Sequence, residues 1–257
     1  MTSIAKIKVD HLIGKEVGTS TILKELARGG MAIVFIAYQR TLKRQIALKI
    51  LPKSLMTAKT AERFQSEAES AAILSHPNII PVYEVGETDA FLFFTMQLVE
   101  GQSLARMISM AKKNLLPSRR TIPVGEAVRV CGLVLEALDY AHQEGVVHRD
   151  VKPSNLMLDA QGHVYVMDFG LARVGTASQL SREGFGLGTL DYVSPEQRRD
   201  ASCVDHRSDL FSLGATLYHL ATGRSPRTVR ERDLPEPLRD VVPTLMEERP
   251  ENRYFSI

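Results

Sequence analysis

His148-Arg149-Asp150-Val151-Lys152-Pro153-Ser154-Asn155 packs a base, a cation and an amide ligand into one short stretch of chain. It follows a segment, 126–143, that is apolar on most sides and reads as a core helix, and it precedes a short strand at 156–158. Pro153 cannot continue a helix, so the spacing places these polar groups on a loop rather than on a solvated helical face. Further on, a strand over 163–167 ends in Asp168-Phe169-Gly170. Asp168 and Asn155 both offer hard oxygen donors and could share a Mg²⁺ that keeps its remaining sites for water and phosphate oxygens.

Toward the N-terminus the pattern is strand-rich, with β-branched or aromatic segments at 33–38, 45–50, 80–85 and 91–96 separated by turn and charge clusters. One helix interrupts them over 60–74, where Ala61, Phe64, Ala68, Ala71 and Ala72 form a stripe of 3.6-residue period. In the strand Ile46-Ala47-Leu48-Lys49-Ile50 the side chains alternate, so Ala47 and Lys49 share one face. A lysine inside an apolar strand needs a partner, and Glu67, at the edge of the helical stripe, is the natural counter-charge. A lysine on an edge strand reaching solvent is the other reading of the same residues. The turn Ala27-Arg28-Gly29-Gly30-Met31-Ala32-Ile33-Val34 carries paired glycines whose N–H groups can approach a phosphate, or which simply close a hairpin.

After Gly101 the character becomes helical, with a second core helix over 208–222. Strands first and helices second give an α+β fold, a small N-terminal sheet lobe and a larger helical lobe with a seam near Val99, and ligands usually bind in the cleft between such lobes. The chain has 257 residues, 44% hydrophobic and 24% charged, as in ordinary globular domains, which excludes a disordered or low-complexity chain. A net charge of +2 is too balanced for a protein that binds nucleic acid by neutralising phosphates. The basic cluster Lys112, Lys113, Arg119 and Arg120 reads as a solvated loop surface. Cys131 and Cys203 stand in no metal-ligand or disulfide spacing, which favours reduced, intracellular thiols. The longest apolar run, 90–99, is broken by Thr95 and Gln97 and is too short to span a bilayer, and the N-terminus lacks the apolar core of a secretory signal. The expected location is cytoplasmic, which is compatible with a membrane or sensor region beyond Ile257.

Taken in order, the glycine-rich turn at 27–34, Ala47-Leu48-Lys49, Glu67, the loop 148–155, Asp168-Phe169-Gly170, Ser194-Pro195-Glu196, Asp209 and Arg253 resemble the signatures of the eukaryotic-type protein kinase family, most of all its bacterial serine/threonine branch. The resemblance covers essentially the whole chain. It implies a bilobal kinase fold over 1–257, with an N-lobe of 1–98 carrying one regulatory helix, and a C-lobe of 99–257 that lacks the family's final helix.

By this resemblance the substrates are ATP and Ser/Thr hydroxyls of proteins, with Mg²⁺, or Mn²⁺ in its place, as the cation. Lys49, oriented by Glu67, would hold the α- and β-phosphates beneath the backbone of Ala27, Gly29 and Gly30. Val34, Ala47, Met157 and the 96–99 segment bounded by Met96 and Val99 would enclose the adenine, with Met96 gating the back of the pocket. Asp150 would steer the proton of the attacking hydroxyl, Lys152 would neutralise charge on the moving phosphoryl group, and Asn155 and Asp168 would bind the metal. Arg149 would pair with an autophosphorylated Thr176, Ser178 or Ser181, whereas Thr189 would bond near Asp150 and Lys152. Asp209 and the pair Glu196 and Arg253 would be structural. A homodimer through the sheet lobe, as in many bacterial relatives, is compatible with the sequence.

The sequence also departs from the family pattern. Ala27 and Ala32 stand where glycine is usual, the stretch 223–253 is short, and 110–124 is long. Ala27, Ala32 and the short C-terminal stretch motivate a second reading, a nucleotide-binding scaffold with little turnover; a third is a small-molecule phosphotransferase built on the same fold. The intact Lys49, Glu67, Asp150, Lys152, Asn155 and Asp168 oppose the scaffold, and the long loop before Ser194-Pro195-Glu196 opposes the third.

Overall fold

A computed structural model describes residues 9–29, 32–116, 120–169, 189–200 and 204–255. The chain divides into two units, Met1–Ser75 with Ile80–Val99, and His76–Ile79 with Glu100–Ile257.

The first unit is built on a six-stranded antiparallel sheet. In chain order its strands are β1 (Glu16–Val17), β2 (Ser20–Arg28), β3 (Ile33–Gln39), β4 (Arg44–Pro52), β5 (Val82–Glu87) and β6 (Phe91–Gln97), arranged β1-β2-β3-β4-β6-β5. The segment expected at 80–85 pairs two residues later, because Pro81 has no N–H to give a ladder. Helix α1 (Ala58–Ala72) also starts earlier than the apolar stripe suggests. Thr57 caps it reciprocally: its hydroxyl accepts the Thr60 N–H at 3.1 Å, and the Thr60 hydroxyl accepts the Thr57 N–H at 2.7 Å.

Alternation along β4 sorts the core. Ile46, Leu48 and Ile50 join Ile33, Phe35 and Phe93 in one apolar cluster. The opposite face carries Phe94, which packs with Phe64 and Ala68 of α1, the two rings 5.1 Å apart. Lys49 pairs with Val34 on one side and Phe94 on the other, so the register puts it on the face that α1 covers. Thr95 points into the other cluster's face, pairing with Leu48, and its buried hydroxyl has no hydrogen-bond partner among the described residues. Thr95→Val keeps the shape and removes that hydroxyl, so we expect it to raise stability by about 1 kcal/mol, read as a higher midpoint in urea.

The second unit opens on β7 (Gly101–Ser103), which pairs with β8 (Leu156–Asp159), and β8 pairs with β9 (Val164–Val166). At Gly101 a Cβ would overlap the Leu158 carbonyl, so only glycine allows this approach. Ser103 caps α2 (Leu104–Lys112), a helix the periodicity analysis did not identify. Helix α3 (Val124–Gln143) is followed by the loop of interest, then by α4 (Pro195–Arg199), α5 (Arg207–Thr222) and α6 (Val241–Leu245). Helix α5 is buried on almost every side, polar Ser208, Asp209, Ser212 and Thr216 included, and Gly214 lets α6 approach: a Cβ there would lie 2.7 Å from Leu245 Cβ.

The residues His76–Ile79 belong to this second unit although α1 and β5 of the first unit flank them in sequence. Asn78 holds them there, donating to Val164 O at 2.8 Å and accepting from Val166 N at 2.7 Å. No helix among the described residues is long and apolar enough to cross a membrane.

Candidate active site

In the first unit Lys49 Nζ forms an ion pair and hydrogen bond with Glu67 Oε1. Both residues are buried, at 8% and 2% exposure, so the solvent-exposed edge-strand reading of Lys49 does not hold. The sequence dictates the meeting. Strand alternation turns Lys49 to the α1 face, and the stripe that seats Phe64 and Ala68 on the sheet carries Glu67 with it. The Lys49 ammonium also lies 5.5 Å from the centre of the Phe94 ring.

The same face brings other predicted residues into rows. Val34 pairs with Ala27 and with Lys49, and Ala47 pairs with Met96. Gly29 N–H donates to Ala32 O at 2.9 Å, closing the turn, while Gly30 lies outside the described residues. Val99 is half-buried at the end of this unit.

In the second unit the loop after α3 folds on itself. Lys152 Nζ donates to both carboxylate oxygens of Asp150, at 2.6 and 2.8 Å, and Asn155 Nδ2 donates to Asp150 Oδ2 and to its carbonyl, both at 2.9 Å. Pro153 starts a single 3₁₀ turn, Pro153–Asn155, which carries Asn155 back onto Asp150. The amide nitrogen is thus occupied by Asp150, and Asn155 Oδ1 is left with a long 3.3 Å contact from Ser154 Oγ.

The Asp168 segment is tied to this loop through its neighbours. Met167 N–H donates to Asn155 O at 2.9 Å, and His148 Nε2 lies 2.8 Å from Met167 O. His148 Nδ1 accepts from Asp150 N at 3.2 Å, so Nε2 carries the proton and donates to Met167. The buried Phe169 ring rests 4.5 Å from the His148 ring. Met157 on β8 is half-buried. Asp168 has φ 61° and Arg149 φ 66°, left-handed values that cost a non-glycine residue about 1–3 kcal/mol and persist only where neighbours enforce them.

For Arg149 the enforcers are visible. The fully buried Asp209 carboxylate accepts from Arg149 N at 2.7 Å, from His148 N at 2.8 Å and from His142 Nε2 at 2.8 Å. Gln197 Nε2 donates to Arg149 O at 2.6 Å. Gln197, His142 and Asn78 were not singled out from sequence. No periodicity marks them, since each acts through one contact with a distant backbone or carboxylate. The motif Ser194-Pro195-Glu196 caps α4, with Ser194 Oγ accepting Gln197 N at 3.4 Å.

Glu196 then binds the buried Arg253 guanidinium through two bonds, at 2.7 and 2.8 Å, and accepts from Ser208 Oγ at 2.5 Å. Burial works against this charged carboxylate, but the Arg253 and Ser208 hydrogen bonds outweigh it and hold its pKa below the ordinary value. A carboxyl whose folded pKa is depressed stabilises the fold above its unfolded pKa and loses that stabilisation as pH falls through the folded one. Glu196→Gln should therefore cost about 3 kcal/mol near neutrality, and its stability should fall less steeply below about pH 4.5 than that of the unmodified protein, measured by urea unfolding across pH.

The oxygen donors suit a hard cation. Among the described residues no group of three or more His, Cys, Asp or Glu is placed to hold a metal, so a cation at Asn155 Oδ1 and Asp168 would complete its shell with water and phosphate oxygens, the preference of Mg²⁺. The buried Cys131 thiol, pushed up to about 12 by desolvation, is not a nucleophile or a thiolate ligand. Thr176, Ser178 and Ser181 lie outside the described residues, as does the side chain of Thr189.

Residues 20–252 match the family described as the protein kinase domain, and the chain belongs to that family. It is 37% identical to the serine/threonine-protein kinase PrkC of Bacillus subtilis over 84% of this chain and 32% of the relative. It is 36% identical to the serine/threonine-protein kinase PknB of Mycobacterium tuberculosis over 89% of this chain and 40% of the relative. The chain thus spans well under half the length of these relatives. Among solved structures, the kinase domain of Mycobacterium tuberculosis PknI superposes with a TM-score of 0.76 at 27% identity, covering 95% of this chain and 94% of that one. The α+β protein kinase fold expected from the sequence is the fold the chain adopts.

Proposed function

We propose that this chain transfers the γ-phosphoryl group of ATP to Ser or Thr hydroxyls of protein substrates. The observation that carries the reading is the set formed by Asp150, Lys152 and Asn155. It joins a proton acceptor, Asp150, to a cation for a migrating phosphoryl group, Lys152, and to the amide nitrogen of Asn155, whose oxygen is the metal-seeking donor. Phosphoryl transfer asks for positioning and charge compensation rather than covalent help, and these are the groups that supply it.

In this reading Lys49, oriented by Glu67, binds the α- and β-phosphates, with Ala27, Gly29 and Gly30 above them, and Val34, Ala47, Met96, Val99 and Met157 enclose the adenine. Asn155 and Asp168 hold Mg²⁺ or Mn²⁺, whose role is to bridge and neutralise phosphate oxygens. The domain is 1–257, with lobes 1–98 and 99–257. Arg149 pairs with the phosphate carried by autophosphorylated Thr176, Ser178 or Ser181, copies pair through the sheet lobe, and the domain works in the cytoplasm. The intact Lys49–Glu67 pair and the ordered Asp150 loop speak against a scaffold without turnover.

The test is incubation with γ-labelled ATP and Mg²⁺, followed by phosphoamino-acid analysis of the protein and of a generic protein acceptor. Label on phosphoserine or phosphothreonine is expected. ATP binding with no transfer to any acceptor would contradict the reading.

A further inference from the structure

One chain of side chains in the second unit has no part in the reading above. The Tyr192 hydroxyl, in the turn Thr189–Tyr192, bonds to Nδ1 of His219, and the other ring nitrogen, Nε2, lies 3.1 Å from Lys112 Nζ. An ammonium can only donate, so Nε2 accepts, and the neutral ring donates from Nδ1 to the Tyr192 oxygen. Burial first and the Lys112 charge second push His219 down to about 4, against a weaker pull from Asp191, so the imidazole stays neutral at physiological pH. Of the basic cluster read from sequence as a solvated loop surface, Lys112 is exposed but ends α2 rather than lying in a loop, and its ammonium is bonded to His219.

The charges around this turn are unbalanced. Lys112 makes no ion pair among the described residues, and neither does Arg198, which donates instead to Leu190 O at 2.8 Å. The one acid of the turn, Asp191, accepts from Ser225 Oγ at 2.5 Å. The turn leads into α4, whose Gln197 bonds to Arg149 O, one residue before Asp150. A polypeptide whose hydroxyl reaches Asp150 therefore has this turn as a neighbour.

We infer that Lys112, backed by His219, and Arg198 make the 189–192 turn a recognition site for carboxylates, so that acidic acceptor segments are preferred over basic ones. The inference rests on the kinase reading. The neutral imidazole adds no negative charge, so against the single carboxylate of Asp191 the two cations Lys112 and Arg198 leave the turn a positive surplus that favours an acidic segment. Lys112 and Arg198 are specificity-determining, and His219 is a positioning residue that fixes where the Lys112 ammonium sits.

The test uses the full chain and two peptides identical except for Asp and Glu, or Lys and Arg, around one Ser. The unmodified protein should show kcat/KM about five- to tenfold higher for the acidic peptide at low salt, a gap that narrows as salt rises. Lys112→Glu should invert the ratio through the peptide KM while the KM for ATP stays put. Arg198→Met, should Lys112→Glu fail to fold, should move the ratio the same way. Equal rates on both peptides, a preference for the basic one, or a ratio that neither variant moves would overturn the inference while leaving the kinase reading intact. Transfer to neither peptide nor to the protein itself would overturn both.

Discussion

Asp150→Asn should lower the rate of phosphoryl transfer by about 10²–10⁴-fold while ATP binds within a few-fold of its original affinity. Asp150 is the one carboxylate in its loop that both accepts from Lys152, at 2.6 Å, and receives Asn155 Nδ2, at 2.9 Å. Asparagine preserves the volume but removes the charge and the proton-accepting power. It also places an amide N–H where a carboxylate oxygen faced two donors, which misdirects Lys152 as well. Steady-state transfer to a protein acceptor, beside equilibrium ATP binding and a thermal melt, separates the chemical loss from a folding loss. A variant that retained more than about a tenth of the rate would remove Asp150 from the chemistry.

Lys49→Met should cost both stability and transfer, and a second substitution separates the two. The ammonium faces a Glu67 carboxylate that is only 2% exposed, so withdrawing it should destabilise the protein by about 3 kcal/mol. Adding Glu67→Gln removes the charge that desolvation penalises, and the double variant should regain part of that loss in urea unfolding. Transfer should stay reduced by at least about 10²-fold in both variants, because the cation proposed to bind the α- and β-phosphates is absent. Recovery of transfer together with stability would mean that Lys49 serves the fold and not the nucleotide.

How much of this was legible in the sequence depended on the range of the interactions. The face of β4 that carries Lys49 follows from alternation alone, and the position of Glu67 on α1 follows from a 3.6-residue period, so their meeting could be anticipated. The loop 148–155 was legible because Pro153 confines it and its polar groups recur together. What escaped was held by single contacts between distant segments. Asn78 joins residues 76–79 to Val164 and Val166, and His142 completes the Asp209 cage, yet neither residue stands in a pattern. Helix α2 escaped because it is short and half its residues face solvent, although Ser103 in front of it was an available cap signal. Lys112 is the surface charge the sequence suggests, but its contact with His219 escaped because nothing in its neighbourhood of sequence points there.

The proposed reading gives Lys49 the phosphates of ATP and Asp168 the cation that accompanies them. Equilibrium binding of ATP with and without Mg²⁺, to the unmodified protein, Lys49→Met and Asp168→Asn, tests it most directly. Lys49→Met should weaken ATP binding in both conditions, while Asp168→Asn should abolish only the increment that Mg²⁺ adds. Binding that ignores either substitution would contradict it.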